Sequence, residues 1–168
     1  VLFGLYYPKE FESKSIISIG KISGVLIDTP GDLANTLYLI TVPGYTDHNQ
    51  TGFLVYHPEK SATNLEIIAI SNSPNVAYEL NQAILDTALN RHSYIINRAK
   101  RPLELAINTL GYQIDNLTAE FNNENKLDKY ITSLALLNES KSELVKELAR
   151  FSSSRVIIKP KIPKSHTR

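Results

Sequence analysis

The chain has 168 residues, of which 42% are hydrophobic and 21% charged, and its formal net charge is +1. This balance is typical of a globular domain, which argues against a disordered or fibrous chain, and no apolar run approaches the ~18 residues that span a bilayer. Cysteine is absent, so disulfides, thiolate nucleophiles and cysteine-based zinc sites are excluded.

The first 72 residues predict a sheet of short strands. Runs rich in β-branched and aromatic residues alternate with Pro and Gly turn signals. These runs cover residues 1–7, 16–19, 22–27, 37–42, 53–56 and 65–70. The gaps between them are too short for crossover helices, so we expect a mainly antiparallel sheet and an α+β fold.

Residues 73–151 change to a helical period. Ser73 followed by Pro74 is a favourable helix start, and Pro102 is expected to kink or end this first helix after about Lys100. An antiparallel helical hairpin is then predicted over residues 102–151, because apolar residues recur at alternating spacings of three and four, as in a coiled-coil seam. The first stripe is Leu103, Ile107, Leu110, Ile114, Leu117 and Phe121. The second is Leu127, Tyr130, Leu134, Leu137, Lys141, Leu144, Leu148 and Phe151.

Residues 152–168 are expected to hold a short edge strand and a mobile basic tail. The apolar run 155–159 supplies the strand. Five cations and no acid follow Phe151, leaving 13 bases and 17 acids for the rest of the chain. These cations, predicted to contact an anionic partner, are Arg155, Lys159, Lys161, Lys164 and Arg168. All three parts are expected to form one compact unit.

Two polar motifs invite a catalytic or metal-binding interpretation. Asp28 and Gly31 are spaced like the Asp-x-x-Gly of GTPases, but no phosphate-binding loop precedes them, so a turn after a strand is favoured. Asp47, His48, His57 and Glu59 have the residue types of a zinc or acid–base site without its spacing, so exposed loop positions are favoured. His92 is expected to be exposed. No nucleophile motif is present, and neither a metal nor another cofactor is predicted.

These patterns favour a non-enzymatic structural protein that assembles through its helical hairpin, with itself or with another subunit. Leu110, Ile114, Leu117, Leu134 and Leu137 carry the seam. Four apolar residues lie beside the seam, facing either the sheet or a partner; they are Leu105, Ile131, Leu136 and Val145. One alternative is a small enzyme or ligand-sensing domain with a pocket where sheet and helices meet, tested first at Asp28, Asp47, His48 and His57. Another is a nucleic-acid-associated protein that contacts phosphates through its tail.

Overall fold

The structure, a computed structural model, describes residues 9–45, 52–56, 63–121 and 127–166. Its elements in chain order are β1 (Phe11–Ser18), β2 (Lys21–Ile22), β3 (Val25–Leu26), α1 (Pro30–Tyr45), β4 (Gly52–Tyr56), β5 (Asn64–Ser71), α2 (Pro74–Phe121), α3 (Leu127–Ala149) and β6 (Arg155–Ile158). The predicted α+β class is therefore confirmed, with strands first, a long helix next, and a second helix and short strand at the end. The predicted strand over residues 1–7 lies outside the described residues.

The main sheet has the order β4-β5-β1-β6, and its three pairings are all antiparallel. β6 occupies an edge beside β1, as the sequence predicted for the run that begins at Arg155. One face of the sheet is buried, because alternate residues of β1 and β5 point inward. The core that this face forms with α1 and the first part of α2 consists of Ile17, Ile19, Leu33, Leu37, Leu65, Ile67, Ala69, Leu80, Ile84, Leu85 and Ala88.

A buried amide joins α2 to the centre of the sheet. The Nδ2 group of Asn81 donates to the carbonyl oxygens of Ser13 at 2.7 Å and Ile67 at 2.9 Å. Asn81 itself is fully buried, so these bonds are not in competition with water. Buried polar groups are retained where they are hydrogen-bonded, and here the bonds fix how α2 lies on β1 and β5.

The expected strand over residues 37–42 is wrong, because these residues belong to α1. Thr29 caps the helix: its Oγ1 accepts from the Asp32 amide at 3.2 Å and donates to the Asp32 carboxylate at 2.7 Å. Pro30 fills the first helical position, where its missing N–H is not needed. The segment 28–31 is therefore a helix start where a simple turn was expected. Leu33 and Leu37, four residues apart, are both fully buried.

The predicted strand over residues 22–27 is replaced by a small hairpin. Its two strands, β2 and β3, are two residues each, and Ser23 and Gly24 between them have φ angles of 51° and 85°. Consecutive positive φ angles match the right-handed twist of paired strands, which is why Gly is favoured in such turns. The chain thus turns at Ser23-Gly24, inside the run that was expected to be one strand.

Pro102 does not end the first helix, as was expected; α2 continues through it to Phe121. Proline lacks an N–H, so the Arg98 carbonyl loses its usual helical donor. Both Arg98 and Pro102 are exposed, so water can hydrogen-bond to this carbonyl. The first helix and the first arm of the predicted hairpin are consequently one helix.

The chain divides into two compact units. The first comprises residues 1–20, 26–93 and 153–168 and holds the four-stranded sheet. The second comprises residues 21–25 and 94–152 and holds the helical hairpin; within it, Lys21 and Ser152 exchange backbone hydrogen bonds of 2.8 and 2.9 Å. The boundaries that the sequence predicted at residues 72 and 151 stay predictions. So does the expectation that the three parts form one compact unit.

Candidate functional site

A polar cluster forms in the first unit around Asp28. The Arg91 guanidinium binds this carboxylate through two bonds, Nε to Oδ2 at 3.0 Å and Nη2 to Oδ1 at 3.3 Å. Asp28 Oδ2 also lies 3.2 Å from His92 Nε2. On the other side of the ring, His92 Nδ1 lies 2.7 Å from the hydroxyl oxygen of Ser154. The cluster therefore joins the segment after β3, the middle of α2 and the segment before β6.

The hydrogen bonds assign the tautomer of His92. An ionised Asp28 only accepts, so His92 Nε2 carries the proton and Nδ1 accepts from the Ser154 hydroxyl. Ser154 Oγ in turn accepts from the Gly20 amide at 2.7 Å. Burial lowers the pKa of His92, while the Asp28 charge and hydrogen bond act in the opposite direction. The expectation that His92 is exposed is wrong, since its side chain is 1% accessible.

The order Asp28–His92–Ser154 is the hydrogen-bond order of an acyl-transfer triad. Catalysis also requires donors aimed at the developing oxyanion, whereas the Gly20 amide is directed at the Ser154 oxygen itself. Arg91 neutralises Asp28, and the ring of His92 is closed off from solvent. What the described arrangement does is connect three distant segments of the first unit.

Asp28 was singled out from its sequence motif, whereas its partners Arg91, His92 and Ser154 were not predicted to lie beside it. His92 is separated from Asp28 by 64 positions and from Ser154 by 62, so no local pattern could have linked them. The other candidates for a pocket, Asp47, His48 and His57, lie outside the described residues. Within the described ranges, no group of three or more His, Asp or Glu side chains is arranged to hold a metal ion.

The seam residues of the hairpin line one stripe on each helix of the second unit. Leu110, Ile114, Leu117, Leu134 and Leu137 are all half-buried, while their neighbours on either side along the helices are mostly exposed. Contact between the two helices is direct at Gly111, where an added Cβ would lie 3.4 Å from Lys141 Nζ. Intermediate burial at a spacing of three and four is the pattern of a helix–helix seam, and the role of these residues at a partner interface stays a prediction.

The apolar residues beside the seam are exposed in the single chain. Leu105, Ile131, Leu136 and Val145 are between 47% and 60% accessible. Tyr112, seven residues after Leu105 and therefore on the same side of α2, is 72% accessible and was not singled out from the sequence. We call this set of five exposed apolar residues the hairpin flank.

The cations of the tail are exposed where the structure describes them: Arg155, Lys159, Lys161 and Lys164. Arg168 lies outside the described residues. The tail is held more closely than expected, because Pro160 is buried and the Ser13 hydroxyl donates to the Lys161 carbonyl at 3.1 Å.

No helix within the described ranges contains a stretch long and apolar enough to cross a membrane.

Comparison with known proteins gives structural likeness without sequence likeness. No protein-family model matches the chain, and no curated protein matches it. A solved fragment of WzzB, a polysaccharide co-polymerase from Salmonella Typhimurium, is similar with a TM-score of 0.44 at 10% identity, over 95% of this chain and 100% of that one. A variant of the Shigella flexneri lipopolysaccharide O-antigen chain-length regulator WzzB gives 0.36 at 10% identity, over 94% and 100%. A Wzz dodecamer fitted to a cryo-EM map gives 0.34 at 10% identity, over 94% and 100%. At these TM-scores the likeness does not assign a function to this chain.

Proposed function

We propose that this chain is a non-enzymatic structural subunit that self-associates through its helical hairpin, while its basic tail contacts an anionic partner. The hairpin supplies an apolar surface, the sheet supplies a rigid body, and the tail supplies positive charge.

One observation carries the proposal: the hairpin shows no buried residue where the structure describes its side chains. None of residues 102–120 or 129–151 is buried, whereas the sheet and the first part of α2 surround the buried residues of the core. Complete burial of an aliphatic side chain stabilises by about 1.5–3 kcal/mol, and ordering one residue of backbone costs about 1–2 kcal/mol. A stripe that is half-buried over two long helices therefore leaves the hairpin marginal, and a partner surface on its flank supplies the missing burial.

A second copy of the chain is the partner that we favour. Exposed apolar residues lie on α2 (Leu105 and Tyr112) and on α3 (Ile131, Leu136 and Val145), so one helix of a copy can pack against the other helix of the next. The anionic partner is supported by the four exposed tail cations and by the absence of acids after Phe151.

Polysaccharide co-polymerases provide one concrete form of such an assembly, and we propose this class as the first to test. The self-association proposal does not depend on it and stands on the exposure of the hairpin flank.

The test is the solution mass of the purified chain by light scattering at low and high salt. We expect a stable oligomer at both, because burial of apolar surface is not screened by salt. A monomer at every accessible concentration would contradict self-association. An oligomer that dissociates at high salt would contradict the apolar hairpin flank as its origin.

A further inference from the structure

The tail carries exposed isoleucines that neither the sheet nor the hairpin explains. Residues 155–164, which we call the strip, contain four exposed cations and no acid. Between the cations lie Ile157, Ile158 and Ile162, which are 49%, 46% and 53% accessible. Cations and apolar side chains thus alternate along one short exposed segment.

The strip is held in place by contacts even though many of its side chains are exposed. Val156 packs against the core, Pro160 is buried, and the Lys161 carbonyl accepts from Ser13. The segment is thereby held at residues 156, 160 and 161. The exposed Ile157, Ile158 and Lys159 lie between these points, and the exposed Ile162 and Lys164 follow directly after them.

A bulge in β6 turns one isoleucine outward. Ile17 is paired with Val156 and Ile16 with Ile158, so that Ile157 is an extra residue. Paired residues of antiparallel strands share a face, and therefore Val156 lies with Ile17 on the core face while Ile158 lies with Ile16 on the opposite face. In a regular strand Val156 and Ile158 would both face the core. Bulges commonly re-aim a side chain in this way.

Protection of the sheet edge against pairing with other chains explains some features of the strip, namely its lysines and its bulge. Lysines and a bulge at a sheet edge oppose pairing with other chains, but exposed isoleucines act against that purpose. Nucleic acid accounts for the lysines and leaves the isoleucines unused, since no aromatic side chain is present for base stacking. A surface that offers both anionic groups and hydrocarbon accounts for both residue types.

We infer that the strip docks on an anionic phospholipid bilayer, with its isoleucines entering the headgroup boundary and its cations meeting the phosphates. This inference rests on the proposed function, because it gives the chemistry of the anionic partner. The charge of the strip, uniform in sign, supplies the electrostatic part of the attraction.

The experiment is co-sedimentation of the purified chain with vesicles of equal parts phosphatidylcholine and phosphatidylglycerol, compared with phosphatidylcholine alone. We expect binding to the mixed vesicles that weakens with salt. The triple variant Lys159→Gln, Lys161→Gln, Lys164→Gln is expected to bind on the order of 100-fold more weakly, because each cation near an anionic leaflet contributes about fivefold. The triple variant Arg98→Gln, Lys100→Gln, Arg101→Gln loses the same charge elsewhere and should bind like the wild type.

A second pair of variants tests the isoleucines. Ile157→Ser with Ile162→Ser is expected to weaken binding by about tenfold per side chain. Leu39→Ser with Leu54→Ser, which removes two other exposed leucines, is the matched control and should leave binding unchanged. Thermal melting by circular dichroism verifies that each variant is folded.

Absence of wild-type binding to either vesicle would overturn the inference, as would equal binding to both. The Ile157→Ser, Ile162→Ser variant can also be tested for binding to duplex DNA. If it binds both the mixed vesicles and the DNA as tightly as the wild type does, the inference is overturned in favour of a nucleic-acid surface. An oligomer by light scattering combined with no vesicle binding would refute this inference and leave self-association standing; a monomer that binds vesicles would do the reverse.

Discussion

Lys141 Nζ lies 3.4 Å from the place that a Cβ on Gly111 would occupy, so the one charged residue of the predicted seam is opposite the glycine of the facing helix. The missing side chain of Gly111 leaves space for the ammonium group of Lys141. A polar residue at a seam position lowers stability and fixes the register of paired helices. We interpret this pair as the feature that fixes how α2 and α3 are aligned.

Gly111→Ala is expected to stabilise the hairpin. Alanine favours a helix interior over glycine by about 1 kcal/mol, and its Cβ would lie at an ordinary contact distance from Lys141 Nζ. Urea unfolding should show a higher free energy of unfolding. The same substitution in a Lys141→Ala background isolates the contact. A loss of stability that disappears in that background would show that the Lys141 ammonium is fixed in place.

Charge substitutions should separate the seam from the hairpin flank. Ile114→Asp removes a half-buried seam residue, so we expect lower helicity and a lower melting temperature. Leu136→Asp alters a side chain that is already exposed. We therefore expect light scattering to give a smaller mass than for the wild type, while the melting temperature of the dissociated chain is unchanged.

Ser142→Asp is the matched control for Leu136→Asp, because it adds the same charge at another exposed position of α3. Its mass should equal that of the wild type. Equal masses for the wild type and the Leu136 variant would exclude Leu136 from the interface.

Acidification should destabilise the first unit through His92. Burial lowers its pKa in the folded chain below the usual 6.5, so below that pH the unfolded chain binds more protons than the folded one. The stability supplied by neutral His92 is complete above pH 6.5 and decreases as the pH falls toward the folded pKa.

Urea titrations over about pH 5 to 8 measure this dependence. His92→Gln, which can still donate to Asp28 and accept from Ser154, should flatten the curve. His166→Gln alters an exposed histidine and should leave the slope unchanged. Parallel curves for the wild type and His92→Gln would show that His92 does not govern the pH response.

Ser154→Ala is expected to lower the free energy of unfolding by about 1–3 kcal/mol, because the Gly20 amide and His92 Nδ1 lose their common partner. Denaturant titration measures the loss. Ser154→Thr keeps the hydroxyl and should recover much of it, while Ser153→Ala, at an exposed position, should have little effect. Stability unchanged in Ser154→Ala would mean that water replaces the hydroxyl without cost.

Local periodicity accounts for what the sequence could predict. The helices of the hairpin carry apolar residues at spacings of three and four, and the edge strand at Arg155 is a short β-branched run, so these elements were predicted correctly. α1 was missed because Thr, Tyr, Ile and Val between residues 36 and 42 favour strands locally, whereas burial of Leu33 and Leu37 against the sheet selects the helix. The cluster at Asp28 could not be predicted, because its members meet only after the whole first unit has folded.

The placement of β6 beside β1 has a consequence for synthesis of the chain. β1 is made long before β6, because Ser13 and the Lys161 carbonyl that it contacts are 148 positions apart. During translation the hairpin can form from local contacts, whereas one side of β1 keeps its amide and carbonyl groups unpaired until β6 leaves the ribosome. An open edge of this kind pairs readily with other chains, so nascent chains stalled before Arg155 should be more prone to aggregate than those released after it.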